Sequence, residues 1–118
     1  MTNQELKTRT KAFAHRCVKL AVSLPKNTLS NHLSKQLIRS ATLIGANYRA
    51  ACLSQSRNTF AAKISIVLEE ADESSFWIEF ITDENLIPKK QLTELLKEAN
   101  ELTRIFASSR KTSQINIH

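Results

Sequence analysis

Three histidines, two cysteines and a knot of carboxylates are the side chains from which this 118-residue chain could build catalysis or a metal site. His15, His32 and His118 share no ligand spacing, so each reads as a solvated or capping residue and not as part of a metal set. Cys17 and Cys52 form no CxxC pair and have no histidine at ligand distance. They read as small hydrophobes of a reducing cytosol. Glu69, Glu70 and Glu73 lie within about one helical turn. Di-metal bundles pair such glutamates with Glu-x-x-His on facing helices, and no such pair occurs. Serine, histidine and aspartate are all present, but no nucleophile has a recognisable base beside it. Gly45 is the single glycine, which rules out a glycine-rich phosphate loop. The expectation is a non-enzyme with no catalytic residue, no metal and no cofactor.

Charge is distributed unevenly. Residues 1–63 hold eleven Lys/Arg against one acid, a balance of +10; residues 64–118 hold six against ten, or −4. Between Glu5 and Glu69 there is no Asp or Glu at all. An acid-free basic run makes a field that attracts polyanions and responds to salt. The other reading is internal: basic elements pack beside acidic ones in a bundle and cancel. Both stay open at this point.

With one glycine and two prolines, an all-β chain is excluded on turn chemistry, and long helices with short links remain. No apolar run approaches the roughly 20 residues of a membrane span. The opening MTNQELKTRTK has no apolar signal core, so a cytoplasmic chain is expected. A first helix is predicted from about Thr2 to Leu24, with Leu6, Phe13, Cys17, Leu20 and Leu24 on one face and Lys7, Lys11, His15 and Lys19 opposite. Pro25 closes it, and Asn27 or Thr28 caps the next.

The second helix is predicted from about Thr28 to Ser54, with Leu33, Leu37, Ala41, Ile44, Tyr48 and Ala51 inward and Lys35, Arg39, Arg49 and Arg57 on the reverse face. Gly45 in its middle, amid alanines, points to close helix–helix approach. The third helix starts at a Ser56 or Asn58 cap and reaches about Thr82, with an inward stripe from Phe60 to Ile81. A second apolar set on it, Ala62, Ile66, Trp77 and Phe80, is more than a monomeric bundle helix needs and predicts an oligomer. A fourth helix is predicted from about Lys89 to Ser109. The architecture expected is an all-α, antiparallel up-down four-helix bundle over 1–109, with a frayed or disordered tail over 110–118.

The basic face is the one functional candidate that composition offers. Lys35, Arg39, Arg49, Arg57 and Lys63 are the predicted phosphate contacts, with helix-1 lysines adding charge. No aromatic platform for stacking bases accompanies them, because Tyr48 falls on the core stripe. The predicted oligomer interface is Ile66, Glu70, Glu73, Trp77 and Phe80. On a rival reading, Arg39 and Arg49 pair with Glu70 and Glu73 on an adjacent helix or subunit, and the chain is a structural or adaptor protein.

The string from Arg39 to Arg49, RSATLIGANYR, then Phe60, Lys63, Ile64, Ile66, Leu68, Glu70, Ala71, Glu73, Phe76 and Trp77, resembles the 23S rRNA intervening-sequence protein family. Leu24-Pro25 matches the Leu-Pro ahead of helix 2 in that family, and Glu98 to Ile105 resembles its last helix. The resemblance covers about residues 10–109. The chain departs from the family pattern at Ala51 and Thr59, where acids are frequent, and both departures leave the basic half less neutralised. The resemblance implies antiparallel four-helix bundles that assemble as rings, typically homopentamers. It implies no biochemical activity. A related bundle family assists the reverse transcriptases of diversity-generating retroelements, which makes RNA, DNA or such a protein the partners to expect.

Overall fold

The structure, a computed structural model, describes residues 1–115. It contains four helices: α1 (Asn3–Ser23), α2 (Thr28–Cys52), α3 (Arg57–Asp83) and α4 (Lys89–Ile115). Each of the first three begins on a side chain that accepts a hydrogen bond from an otherwise orphaned backbone N–H. Thr2 Oγ1 accepts from Glu5 N at 3.0 Å. Asn27 Oδ1 accepts from Ser30 N at 2.8 Å, and Ser56 Oγ accepts from Thr59 N at 3.1 Å. Of the cap pairs the sequence offered, the structure uses Asn27 and Ser56. Pro25 follows the end of α1 directly, as a residue that cannot continue a helix must. Beyond α3 the chain turns at Asn85, whose φ of 54° is left-handed. Asparagine tolerates that region better than most residues.

In contact, α1 lies against α2, α2 against α3, α3 against α4, and α4 more sparsely against α1. Among the described residues the helices therefore form a closed cycle with no diagonal contact, in a body of 48 × 22 × 19 Å. Its core is the expected set of stripes. Phe13, Cys17, Leu33, Leu37, Ile44, Ile64, Val67, Ile78, Ile81, Leu102 and Phe106 are all at most 1% exposed. The Tyr48 ring tilts against Phe106 with centroids 5.5 Å apart. Across the α2–α3 seam the hydroxyls of Ser40 and Ser74 meet at 3.0 Å, so small residues let these two helices approach closely.

Helix α4 runs six residues past its expected end. The tail predicted over 110–118 is helical as far as Ile115, and residues 116–118 lie outside the described residues. The sequence SSRKTSQ has no apolar period, which is why it read as frayed. Thr112 and Ser113 line a cleft of about 440 Å³ with Asn3, Cys52 and Phe60, and Ser113 Oγ donates to the Ser109 carbonyl at 2.8 Å.

Gly45 does face α1, but less tightly than expected. A Cβ placed there would lie 3.4 Å from Thr10 Oγ1 and 3.7 Å from its Cβ, which is ordinary contact. Helix α2 is continuous through it. Gly45→Ala is therefore expected to stabilise the fold by about 0.5–1 kcal/mol, from helix propensity alone. Urea unfolding of the variant tests this; a less stable alanine variant would mean that the seam is tighter than its geometry.

Candidate nucleic-acid interface

One ridge of α2 points to solvent along its length: His32, Lys35, Arg39, Thr42, Ala46 and Arg49 recur every three or four residues and are all exposed. Three of the five predicted phosphate contacts are on it. Arg57 opens α3, and Lys63 is half-buried further along that helix. The five do not converge on one pocket.

Arg39 is already engaged. Its Nη1 donates to Glu70 Oε2 at 3.1 Å, its Nη2 donates to Glu73, and its Nε donates to Gln36 Oε1 at 3.4 Å. Glu70 is the least exposed member, and burial pushes its carboxyl above the usual range. Arg39 pulls it back down, while the neighbouring Glu73 pushes it up again. The Arg39–Glu70–Glu73 pairing of the rival reading thus exists, within one chain. Arg49 does not join it.

Arg49 lies on the other flank of α2, over a groove of about 810 Å³ between α1 and α2. Lys7, Lys11, His15 and Arg49 rim this groove, and Ala12, Ala14, Gly45 and Ala46 form its floor. No carboxylate lines it. Among the described residues, none of its cations is in an ion pair. Cations above a floor of small residues suit a close approach by a phosphodiester backbone, which Lys and Arg contact without reading sequence. The helix-1 lysines, expected only to add charge, are here half of the site. Their spacing gave their face on α1, but not that α2 would bring Arg49 opposite them.

Arg9 belongs to the same basic run and has a different fate. Its Nε donates to Glu98 Oε2 at 2.7 Å, and its Nη2 donates to Glu98 Oε1 at 2.6 Å and Glu101 Oε2 at 2.8 Å. This clasp joins α1 to α4, the sparsest seam of the cycle. The hydrogen bond from Arg9 holds the Glu98 carboxyl below its usual range despite burial.

The predicted oligomer surface is apolar and partly open. Ile66 is 40% and Phe80 37% exposed, and Trp77 is half-buried with its indole N–H buried and unpartnered. Sequence reading missed the most open member, Phe76, at 51% exposed. Phe76 packs edge-on to Trp77 at 4.9 Å, and His32 of α2 meets Trp77 from the other side at 5.7 Å. Glu70 and Glu73, assigned to this surface from sequence, are held by Arg39.

Elsewhere, burial pushes the Cys17 thiol up to about 12, and burial next to Cys52 raises the Tyr48 phenol. Both stay protonated near neutral pH. No three His, Cys, Asp or Glu side chains group as a metal site among the described residues, and His118 lies outside them. No helix is long and apolar enough to cross a membrane among those residues.

Arg9→Met should lower stability by about 1.5–3 kcal/mol near neutral pH, as expected for hydrogen bonds to charged groups. Because the folded Glu98 carboxyl titrates below its unfolded value, the clasp contributes fully above that value, near pH 4.3, and is lost as pH falls through the folded value. The gap between variant and wild type should therefore close on acidification. Equal gaps in urea melts at about pH 3 and pH 7 would rule out an ionic clasp.

The comparisons with known proteins bear on the fold and the family. Among curated proteins none matches. A crystal structure of a protein of unknown function from the S23 ribosomal protein family of Bacteroides thetaiotaomicron superposes with a TM-score of 0.85 at 33% identity. The match covers 94% of this chain and 99% of that one. The model of the 23S rRNA-intervening sequence protein family matches residues 2–108. With its four helices, its small-residue seams and a family match over nearly its whole length, the chain belongs to the 23S rRNA-intervening sequence protein family.

Proposed function

We propose that this chain is a non-enzymatic, cytoplasmic, oligomeric bundle that binds structured RNA or DNA through a basic surface centred on the α1–α2 groove. The observation that carries the reading is the groove itself: Lys7, Lys11, His15 and Arg49 around a floor of small residues, with no carboxylate in the lining. Lys35 extends the same ridge of α2, and Arg57 and Lys63 extend the basic surface onto α3. Arg39 is better read as a structural residue that holds α3 to α2, since it pairs with both Glu70 and Glu73.

The helices are taken to run alternately up and down. In support, Tyr48 near the end of α2 donates to Asn3 Oδ1 at the start of α1 at 3.1 Å. Ser34, near the start of α2, donates to the Ala21 carbonyl near the end of α1 at 3.0 Å. The copies are taken to form a ring, probed through the patch of Ile66, Phe76, Trp77 and Phe80. Such a patch on an otherwise charged ridge is what an interface core looks like before assembly. A ring would present the groove several times over and raise the avidity for a long polyanion.

Lys11→Gln with Arg49→Gln tests the nucleic-acid reading. In a salt titration against a structured rRNA fragment and a DNA duplex of equal charge, the double variant should bind more weakly. The slope of log K against log salt should fall by about 0.7–0.9 for each cation removed. An unchanged slope and affinity in a folded variant would overturn it. The adaptor reading, with a protein partner such as a reverse transcriptase, would then take its place.

Phe76→Ser with Phe80→Ser tests assembly. Light scattering should report a smaller mass than wild type, with helix content retained. A full-mass oligomer would move the interface elsewhere.

A further inference from the structure

We propose that the opposite face of the bundle carries a second polyanion site, the α3–α4 groove, so that one chain holds two phosphodiester segments at once. The proposal rests on the nucleic-acid reading above and extends it to a half of the chain whose net charge is negative.

The groove measures about 400 Å³. Lys89, Lys97 and Arg104 line it together with Thr82, Thr93 and Asn100, above Leu92 and Leu96. No carboxylate lines it. The three cations are exposed, and none is in an ion pair among the described residues. At positions i, i+8 and i+15 they form a stripe within about 80° of one another around α4, spaced about 12 Å and about 10 Å along its axis. The Asn100 amide between them adds a neutral donor of the kind that phosphate oxygens accept, whereas the hydroxyls of Thr82 and Thr93 donate to carbonyls of their own helices.

Charge counting hides this stripe because α4 is two-sided. Glu98 lies away from the stripe, and although Glu94 and Glu101 are the i−3 and i+4 neighbours of Lys97, Arg9 draws Glu98 and Glu101 toward α1. Two of the three acids of α4 are thus held at the α1–α4 seam, and its α3 side is left cationic. Because the helices contact in the cycle α1–α2–α3–α4, the α1–α2 and α3–α4 grooves open on opposite faces. They are separated by the short dimensions of the body, 22 × 19 Å. A short oligonucleotide in one groove cannot occupy the other.

The test is a stoichiometric titration at low salt with a fluorescent single-stranded oligonucleotide too short to pass round the bundle. Wild-type protein should bind two per chain. Lys97→Gln with Arg104→Gln should bind one, and so should Lys11→Gln with Arg49→Gln; glutamine preserves the helix and adds no charge. Circular dichroism confirms that each variant is folded. Acetylation footprinting gives a second readout, in which the oligonucleotide should protect Lys89 and Lys97 while leaving Lys26, in the α1–α2 link, reactive. If wild type binds one per chain and Lys97→Gln with Arg104→Gln also binds one, the second site is overturned and the first stands. If wild type binds none, the nucleic-acid reading fails and takes this proposal with it.

Discussion

The order in which the four helices touch decides where the charge of this chain can be neutralised. The first two helices carry almost no acid, and the last two carry nearly all of it. In the cycle α1–α2–α3–α4, each basic helix meets an acidic neighbour on one flank only. Arg39 finds Glu70 and Glu73 across the α2–α3 seam, and Arg9 finds Glu98 and Glu101 across the α4–α1 seam. The α1–α2 seam has a basic helix on both sides, and no carboxylate lines its groove. The unneutralised groove of Lys7, Lys11 and Arg49 follows from topology as much as from composition. Its field is undiminished by local partners, and counter-ions or a polyanion must supply the balance.

The same order explains which clasps matter. Wide seams such as α2–α3 and α3–α4 are held by apolar stripes and small residues, and ion pairs add little to them. The α1–α4 seam is the sparse closure of the cycle. There a bidentate guanidinium–carboxylate pair, with side chains 26% and 16% exposed, supplies direction as well as energy. Arg9 closes the bundle and at the same time pairs two of the three carboxylates of α4.

Much of the fold was legible in the sequence, because periodicity and capping are local. The stripes through Leu33, Leu37, Ile44, Ile64, Val67 and Ile78 all became core, and Asn27 and Ser56 became caps. The end of α4 was not legible, because its last turns line a cleft with Asn3, Cys52 and Phe60, which are remote in sequence. The site was legible only in part. Periodicity assigns a residue to a face of its own helix, and it does not say which helix will stand opposite. Lys35, Arg39 and Arg49 share a ridge and looked equivalent, yet Arg39 leans toward the carboxylates of α3 and Arg49 toward the lysines of α1. Phe76 was overlooked as an interface residue because it sits among Glu73 and Glu79 in the sequence, where it reads as one apolar residue on a solvated face.

The acidic half then has a purpose that its net charge conceals. Seven of the ten acids after residue 63 lie on α3 or just past its end among exposed aromatics, and the other three recur along one flank of α4. On the proposed reading, a polyanion would be repelled from the ridge that carries Phe76 and Phe80 and admitted at the grooves on either side of the bundle. Segregation of this kind keeps an apolar patch free for another protein surface, because the carboxylates around it exclude the ligand that the grooves attract. Two binding modes can then share a bundle about 20 Å across without competing, provided that Arg39 and Arg9 hold the intervening carboxylates in place.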